Sequence, residues 1–241
     1  MSIMNWVKDE NVAIITMTNG ENRQNLVFGK TLSAMLDEII ADKSITDLII
    51  TSNDEKNFSQ GIDVEWIMGQ MQKNEHQPVT DFINEMDNVF KKLLLYPVPV
   101  IAAINGHAFG NGSIVSCACD FRFMRSDRGF FCFTEVNIGI PFRWGMNAFV
   151  KKAIPLHIFS QMQFTGNRYT APELEKHNII VKACANQEDL MAQTIAFAKT
   201  FQKKRGIFGE LKKRLYTDIV KVLDDDFMPP TAKIDSLVMM D

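Results

Sequence analysis

Long hydrophobic runs are missing from this sequence of 241 residues, of which 46% are hydrophobic and 23% charged. No stretch of about 18 apolar residues is free of charges, so we expect no membrane-spanning helix and no membrane partner. The first residues, MSIMNWVKDENVAIITM, carry acidic side chains early and lack the layout of a secretory signal peptide. The last four, VMMD, carry no peroxisomal address. We therefore expect a cytoplasmic protein of ordinary globular composition.

Cysteine and histidine are also scarce, with four residues of each. The cysteines form no C-x-x-C pair and stand mostly among apolar residues, which favours buried free thiols in a reducing compartment. The histidines are scattered along the chain, so we expect no metal site. His107, which follows Gly106, is interpreted as a residue that packs or hydrogen-bonds in a loop.

An excess of positive charge is lacking too. The formal net charge of −3 argues against broad nucleic-acid binding, because that binding requires a basic face. The most glycine-rich segment has neither the G-x-G-x-x-G pattern nor the lysine of a phosphate-binding loop, so a nucleotide cofactor is not indicated. The length suits one large domain, or one domain with an appendage.

Strand and helix patterns alternate along the chain, which indicates an α/β fold. A helix is expected to begin after Thr170, where Pro172 and Glu173 complete a start signal with a capping box. Strands are predicted for residues 11–17, 47–51, 98–104, 120–124, 130–133 and 179–183. The other predicted helices are 31–41, 63–72, 79–95, 113–118, 145–153, 155–164, 187–204 and 208–223.

The central segment, PVPVIAAINGHAFGNGS at residues 97–113, combines both patterns. Its apolar run predicts a short buried strand, which breaks at Gly106, Gly110 and Gly112 and restarts as a helix. Such a helix start leaves backbone N–H groups unpaired, and the helix dipole favours negative charge near them. The segment could stabilise an oxygen that becomes anionic during a reaction, although most connections of this kind only link two elements.

Two more places could carry chemistry. One is FSQGID at residues 58–63, a second strand–loop–helix junction that contains a glycine. The other is Glu135, a lone carboxylate among apolar side chains. If Glu135 is buried, its pKa rises and it can act as a proton-transfer base near neutral pH. If it is exposed, a structural role is the simpler interpretation.

Five ordered pieces of the chain resemble motifs of the crotonase family, which comprises enoyl-CoA hydratases and isomerases. Together they span nearly the whole chain. Asn25-Leu26 is similar to the family's N-A-L segment, and FSQGIDV at 58–64 to F-S-A-G-x-D-L. Residues 97–112 are similar to P-x-I-A-A-[IV]-N-G-x-A-x-G-G-G, residues 119–122 to C-D-x-[RV], and residues 165–182 to T-G…A-L-x-x-G-L-V-x-x-V.

The resemblance implies a fold and an assembly. It predicts a spiral of ββα units with two sheets, followed by a C-terminal helical trimerisation region. Residues 1–186 would form the spiral core with the CoA-thioester site, and residues 187–241 the helical region. We expect a homotrimer or a dimer of trimers that acts on acyl-CoA thioesters in fatty acid metabolism. No cofactor is expected, because CoA is part of the substrate.

The resemblance also implies roles for single residues. In the family, two backbone N–H groups bind the thioester oxygen, and the matching positions here are Ile62 and Asn111. Gln60, Gly61 and Asp63 are expected to bind substrate, with the Gln60 carbonyl meeting the adenine amine. Proton removal beside a thioester makes an enolate, which two such donors in a dry pocket would stabilise.

Departures from the family pattern indicate the reaction. Hydratases of the family use two glutamates to position and activate water, and the matching positions here are Ile114 and Glu135. A single carboxylate can move a proton from one carbon to another but is poorly equipped to hold a water as well. The motif TEVNIG around Glu135 also resembles the Δ3,Δ2-enoyl-CoA isomerases. We therefore expect isomerisation of a 3-enoyl to a 2-enoyl thioester.

Three alternatives stay open at this point. They are hydration, another crotonase-type reaction such as a lyase or decarboxylase reaction, and non-catalytic binding of a CoA thioester. The last would suit the changes at Ile114 and at Asn111, where the family has glycine. The family's P-G-x-G segment is replaced by PFRWG at residues 141–145, so we expect an aromatic acyl pocket of different shape.

Overall fold

The computed structural model describes residues 2–201 and 203–228. Its strands are β1 (Met4–Asp9), β2 (Val12–Met17), β3 (Asp47–Ser52), β4 (Asn57–Ser59), β5 (Val100–Ile104), β6 (His107–Phe109), β7 (Phe121–Arg125), β8 (Phe131–Cys132) and β9 (Lys182–Cys184). Its α-helices are α1 (Leu26–Ala41), α2 (Val64–Gln72), α3 (His76–Leu95), α4 (Asn111–Ala118), α5 (Trp144–Ala153), α6 (Leu156–Thr165), α7 (Ala171–Lys176), α8 (Gln187–Ala198), α9 (Arg205–Leu215) and α10 (Thr217–Asp225), and a 3₁₀-helix covers Glu135–Ile138.

A six-stranded sheet in the order β1-β2-β3-β5-β7-β9 forms the centre of the fold. Only β1 is antiparallel to its neighbour, and the other adjacent pairs are parallel. Every residue of β3 and β5 is buried, as expected for parallel strands that are covered on both faces. Leu36 of α1 and Phe90 of α3 pack in the core on one face, and Leu190 of α8 packs on the other. The predicted α/β class is confirmed.

A second, three-stranded sheet has the order β4-β6-β8, and all its pairs are parallel. These strands are three residues long or shorter, and each is followed within a few residues by a helix. The sheet therefore serves mainly to align three chain segments with one another.

Three strands were not predicted from the sequence. β1 is an edge strand, MNWVKD, whose alternating exposure leaves no apolar run. β4 and β6 lie in segments that were predicted as loops, and three residues are too few to show a periodicity. Pairing with distant strands, which a local pattern does not contain, makes these segments extended.

The C-terminal boundaries also differ from the prediction. α8 ends at Ala198 rather than residue 204, and β9 begins at Lys182 rather than residue 179. The single helix predicted for 208–223 is wrong, because the chain breaks at Tyr216 into α9 and α10. This break allows α10 to pack on α5, where Leu223 is buried against Gly145.

The predicted helical region, residues 187–241, is described only in part, because residues 202 and 229–241 lie outside the described residues. These include the terminal VMMD. The boundary at residue 186 and the trimerisation role stay predictions. In residues 2–201 and 203–228, no helix has both the length and the apolar character that crossing a membrane requires.

Candidate active site

Three chain segments meet at one edge of the three-stranded sheet. Because β4, β6 and β8 are parallel, their carboxyl ends lie at the same edge, where open α/β sheets bind ligands. β4 leads into residues 60–63, β6 into Gly110 and α4, and β8 into Glu135. The topology thus brings together the three places that were selected from the sequence.

The backbone of Gly61 packs directly on the start of α4. Gly61 has a φ of 79°, and a Cβ atom at this residue would lie 2.6 Å from the Phe109 carbonyl oxygen and 3.0 Å from the Asn111 amide nitrogen. The close approach brings the N–H groups of Ile62 and Asn111 near each other. Within the described residues, neither N–H group donates to a protein acceptor. Two backbone donors, one at the start of α4 and one just before the N-cap residue of α2, are therefore available to an oxygen atom.

The carboxyl group of Glu135 lies beside this donor pair. Glu135 begins the 3₁₀-helix, and a Cβ atom on Gly110 would be 3.1 Å from Glu135 Oε1. The residue is half-buried as a whole, but Oε2 is closed off from solvent and has no hydrogen-bond partner in the described part of the chain. Burial raises the pKa of Glu135 to about 7, although the backbone N–H groups of Glu135 and Thr134 oppose the shift. A carboxyl group with this pKa can exchange a proton near neutral pH.

An apolar cavity of about 120 Å³ adjoins both groups. Ile62, Asn111 and Glu135 contribute to its wall, and so does Ile114, which is buried. Glu135 is the one carboxylate among the described residues that line it. The remaining lining residues come from α2, α3, α5 and the segment before α5; they are Ile67, Val79, Phe82, Ile83, Met86, Ile140, Pro141, Phe142, Arg143 and Met146.

A buried network of hydrogen bonds holds the residues next to the donor pair in place. The Asn111 side chain donates from Nδ2 to Gln24 Oε1 at 2.6 Å, and Gln24 Nε2 donates to Ser59 Oγ at 3.1 Å. Ser59 Oγ also accepts the Gly61 N–H at 3.1 Å and donates to the Asn22 carbonyl at 2.7 Å. Asn111 is thus held by Gln24 although it replaces a family glycine.

Replacing Gln24 with methionine is expected to lower both stability and activity. The change keeps the side-chain volume but leaves the Asn111 amide buried without an acceptor, which costs about 1–3 kcal/mol of unfolding free energy. We expect kcat to fall about tenfold, because the donor pair loses its fixed position. Denaturant unfolding and steady-state kinetics measure the two effects. The exposed Gln77, changed to methionine in the same way, is the control, and a Gln24→Met enzyme with wild-type kcat would contradict the positioning role.

The other residues predicted from the sequence occupy defined positions near the site. The Asp63 carboxylate caps α2 by accepting the Trp66 N–H at 3.0 Å, and it also accepts from Asn25 Nδ2 at 3.3 Å. Gln60 donates from Nε2 to Asn57 Oδ1. Their roles in substrate binding stay predictions. His107 Nδ1 accepts the Phe130 N–H at 3.2 Å, which confirms its predicted role as a hydrogen-bonding residue, although it begins β6 rather than lying in a loop.

Two residues of the site were missed in the sequence. Gln24 lies outside every motif except as the neighbour of Asn25, and only the fold places it under α4. Arg143 stands in the PFRWG segment, and it lines the apolar cavity. The sequence did contain a signal for Arg143, because a charged residue is unexpected in a segment that is predicted to form an acyl pocket. In the described residues, no group of three or more His, Cys, Asp or Glu side chains is placed to hold a metal ion.

The two-sheet architecture is that of the crotonase fold. A crystal structure of an enoyl-CoA hydratase from Bacillus halodurans superposes with a TM-score of 0.84, covering 98% of this chain and 95% of that chain at 20% sequence identity. The sequence also matches the family described as "Enoyl-CoA hydratase/isomerase" over residues 7–227. The chain therefore belongs to the enoyl-CoA hydratase/isomerase family of enzymes.

Relatives with different reaction names are similar to this chain. Enoyl-CoA delta isomerase 3 of Arabidopsis thaliana is 27% identical over 199 residues, covering 79% of this chain and 82% of the relative. Short-chain-enoyl-CoA hydratase of Clostridium acetobutylicum is 29% identical over 184 residues, covering 75% and 68%. Sequence similarity alone thus leaves the choice between isomerase and hydratase to the site.

Proposed function

We propose that this enzyme isomerises 3-enoyl-CoA thioesters to 2-enoyl-CoA thioesters with Glu135 as its single acid–base residue. The observation that carries the proposal is that both Glu135 and Ile114 line the cavity. One carboxylate faces the cavity, and a buried hydrocarbon side chain occupies the position of the hydratases' first glutamate. Such a wall favours proton transfer between carbons and offers no second group to activate water.

The proposed reaction has two proton transfers. Glu135 removes a proton from C2, and the C–H electron pair forms a C1–C2 double bond while the thioester oxygen becomes anionic. The N–H groups of Ile62 and Asn111 donate to that oxygen. The enolate then collapses, the double bond moves from C3–C4 to C2–C3, and Glu135 returns the proton to C4. Each donor is typically worth about 10²–10³ in rate, and the base about 10²–10⁴.

The experiment compares two reactions of the same enzyme. Isomerisation of 3-hexenoyl-CoA is followed as the conjugated 2-enoyl thioester forms, and hydration of 2-hexenoyl-CoA as that thioester disappears. We expect isomerisation to exceed hydration by about 10² or more, the contribution of one acid–base group. Faster hydration than isomerisation would contradict the proposal in favour of a hydratase. Binding of the thioester without either reaction would favour a non-catalytic role.

The pH dependence of the isomerisation tests the assignment of the base. kcat/KM should rise with pH through a midpoint near 7, because only the charged form of Glu135 accepts a proton and burial raises its pKa to about 7. Burial also raises the pKa of Asp87 to about 7, so the profile is repeated with Asp87→Asn, which should keep the midpoint. A midpoint near 4.5, the ordinary value for a glutamate, would contradict a buried base.

The further expectations from the resemblance stand as proposals. They are an acyl-CoA substrate whose adenine meets the Gln60 carbonyl, a trimeric assembly, a cytoplasmic location and a role in fatty acid metabolism. The acyl-CoA substrate is supported by the position of residues 60–63, which lie between the carboxyl end of β4 and the start of α2.

A further inference from the structure

Arg143 is a buried cation on the wall of the apolar cavity. It lies at the N-terminus of α5, and its side chain is only 10% exposed. Its Nε lies 3.2 Å from Asp226 Oδ2, and its Nη2 donates to the Asp226 carbonyl and lies 3.0 Å from Asp87 Oδ2. These contacts fix one edge of the planar guanidinium group.

The other terminal nitrogen of Arg143, Nη1, takes part in none of these contacts. It is buried and has no hydrogen-bond partner in the described part of the chain. An unpaired buried donor costs about 1–3 kcal/mol, and more when it carries charge. Ile83, Met86 and Met146, which line the same cavity, offer hydrocarbon or thioether surface rather than a good acceptor. The acceptors Glu135 Oε2 and Asn111 Oδ1 on the cavity wall make no hydrogen bond to this nitrogen. An oxygen atom of a bound ligand would satisfy this nitrogen.

The charge around Arg143 limits which oxygen fits. Asp226 and Asp87 already face the guanidinium group, so its positive charge is balanced or more than balanced. Burial of a third carboxylate next to this pair is unfavourable because like charges repel in a low dielectric. A hydroxyl or carbonyl oxygen accepts a hydrogen bond without adding charge.

We infer that the cavity binds a short acyl group with a hydroxyl or carbonyl oxygen distant from its thioester. Arg143 Nη1 donates a hydrogen bond to that oxygen. The inference rests on the proposed function for the CoA-thioester nature of the substrate. The size of the cavity is consistent with a short group. A dry protein cavity of about 150 Å³ accepts benzene, so the 120 Å³ here holds roughly five heavy atoms.

The test measures binding of unreactive saturated thioesters, so that it does not depend on turnover. Calorimetry compares hexanoyl-CoA, 6-hydroxyhexanoyl-CoA and adipoyl-CoA, which ends in a carboxylate. We expect the hydroxylated thioester to bind about tenfold more tightly than hexanoyl-CoA, the worth of one hydrogen bond to a charged donor. Equal affinities for these two would overturn the inference. Tightest binding of adipoyl-CoA would overturn the assignment of a neutral oxygen.

Variants of Arg143 test whether this residue causes the preference for the hydroxylated thioester. Arg143→Lys keeps a cation between the two aspartates but removes Nη1, so the preference should fall below about threefold while hexanoyl-CoA still binds. Arg143→Gln is the second variant in case the lysine enzyme does not fold. Arg23→Lys, at a surface arginine, is the matched control and should keep the preference. An unchanged preference in a folded Arg143 variant would overturn the role of Arg143.

The two proposals fail in different ways. Turnover of 3-hexenoyl-CoA without a preference for the hydroxylated thioester leaves the isomerase proposal standing and overturns this inference. A preference without turnover of any 3-enoyl thioester supports this inference and overturns the isomerase proposal. Failure of all three saturated thioesters to bind would overturn both.

Discussion

Replacing Glu135 with glutamine is expected to lower kcat for 3-hexenoyl-CoA isomerisation by about 10²–10⁴, the usual contribution of a general base. Glutamine has nearly the same shape, so the cavity and the donor pair stay in place, and the dissociation constant for hexanoyl-CoA should change less than about threefold. Steady-state kinetics and calorimetry measure the two quantities. Glu65→Gln, on the exposed face of α2, is the matched control and should keep wild-type kcat.

The same variant should be more stable than the wild type above neutral pH. Burial raises the pKa of Glu135 from 4.5 to about 7 in the folded chain, so folding favours the protonated form. The stability that this group contributes is present below pH 4.5 and is lost as the pH rises through 7. Glutamine has no charge to bury, so Glu135→Gln should gain about 1–3 kcal/mol of unfolding free energy at pH 8.

That gain should shrink as the pH is lowered towards 4.5. Inactivity combined with raised stability would separate loss of a base from damage to the fold, because a misfolded variant loses both properties. A Glu135→Gln enzyme that keeps its kcat would contradict the single-base mechanism. A variant that is inactive but less stable at pH 8 would contradict burial of the carboxylate.

The helices and the longer strands could be predicted because their signals are local. α3 has its apolar residues on one face, and α7 begins with the predicted capping box. β5 is a continuous apolar run, and β3 contains the apolar residues 48–50. β4 and β6 could not be predicted, because their extended conformation depends on pairing with each other. The break at Tyr216 also goes with a contact between elements distant in sequence, since α10 packs on α5.

The residues of the candidate site also divide into those that the sequence predicts and those that it does not. The residues that the motifs contain, Ile62, Asn111 and Glu135, were found in the sequence, and the parallel order β4-β6-β8 places them together. Gln24 and Arg143 were missed because their partners lie far along the chain. Gln24 contacts Asn111, 87 residues away, and Arg143 contacts Asp226, 83 residues away. A single sequence carries no local trace of such pairs.

The two ionisable side chains on the cavity wall, Glu135 and Arg143, therefore have different origins. Glu135 follows from a motif that this chain shares with its family, whereas Arg143 stands in a segment where it departs from the family pattern. The first bears on which reaction is possible, and the second on which acyl group fits. The Glu135 and Arg143 variants separate these two properties, because one is read from kcat and the other from the ratio of two dissociation constants.

Replacing Gly61 with alanine is the second change with a large expected effect. A Cβ atom would lie 2.6 Å from the Phe109 carbonyl oxygen and 3.0 Å from the Asn111 nitrogen, and both of these are backbone atoms. They can yield only if β4 and the start of α4 separate, which moves the N–H groups of Ile62 and Asn111 apart. Losing one donor to an oxyanion costs about 10²–10³ in rate, so we expect kcat to fall by that amount.

Gly69→Ala is the matched control for this change. Gly69 lies within α2, a Cβ atom there meets nothing within 4 Å, and alanine favours a helix over glycine by up to about 1 kcal/mol. This control should keep its kcat and melt at a higher temperature. Gly61→Ala should melt at a lower temperature as well, because a left-handed φ of 79° costs alanine about 1–2 kcal/mol.

The combination of kcat and affinity distinguishes a displaced donor pair from a general loss of folding. A folded Gly61→Ala enzyme should still bind hexanoyl-CoA, since most of the cavity wall comes from α3 and residues 140–143, which are unchanged. The loss should therefore appear in kcat more than in the dissociation constant, as expected when donors act on the enolate rather than on the ground state. Wild-type kcat in Gly61→Ala would mean that the Ile62 and Asn111 amides do not hold the oxyanion.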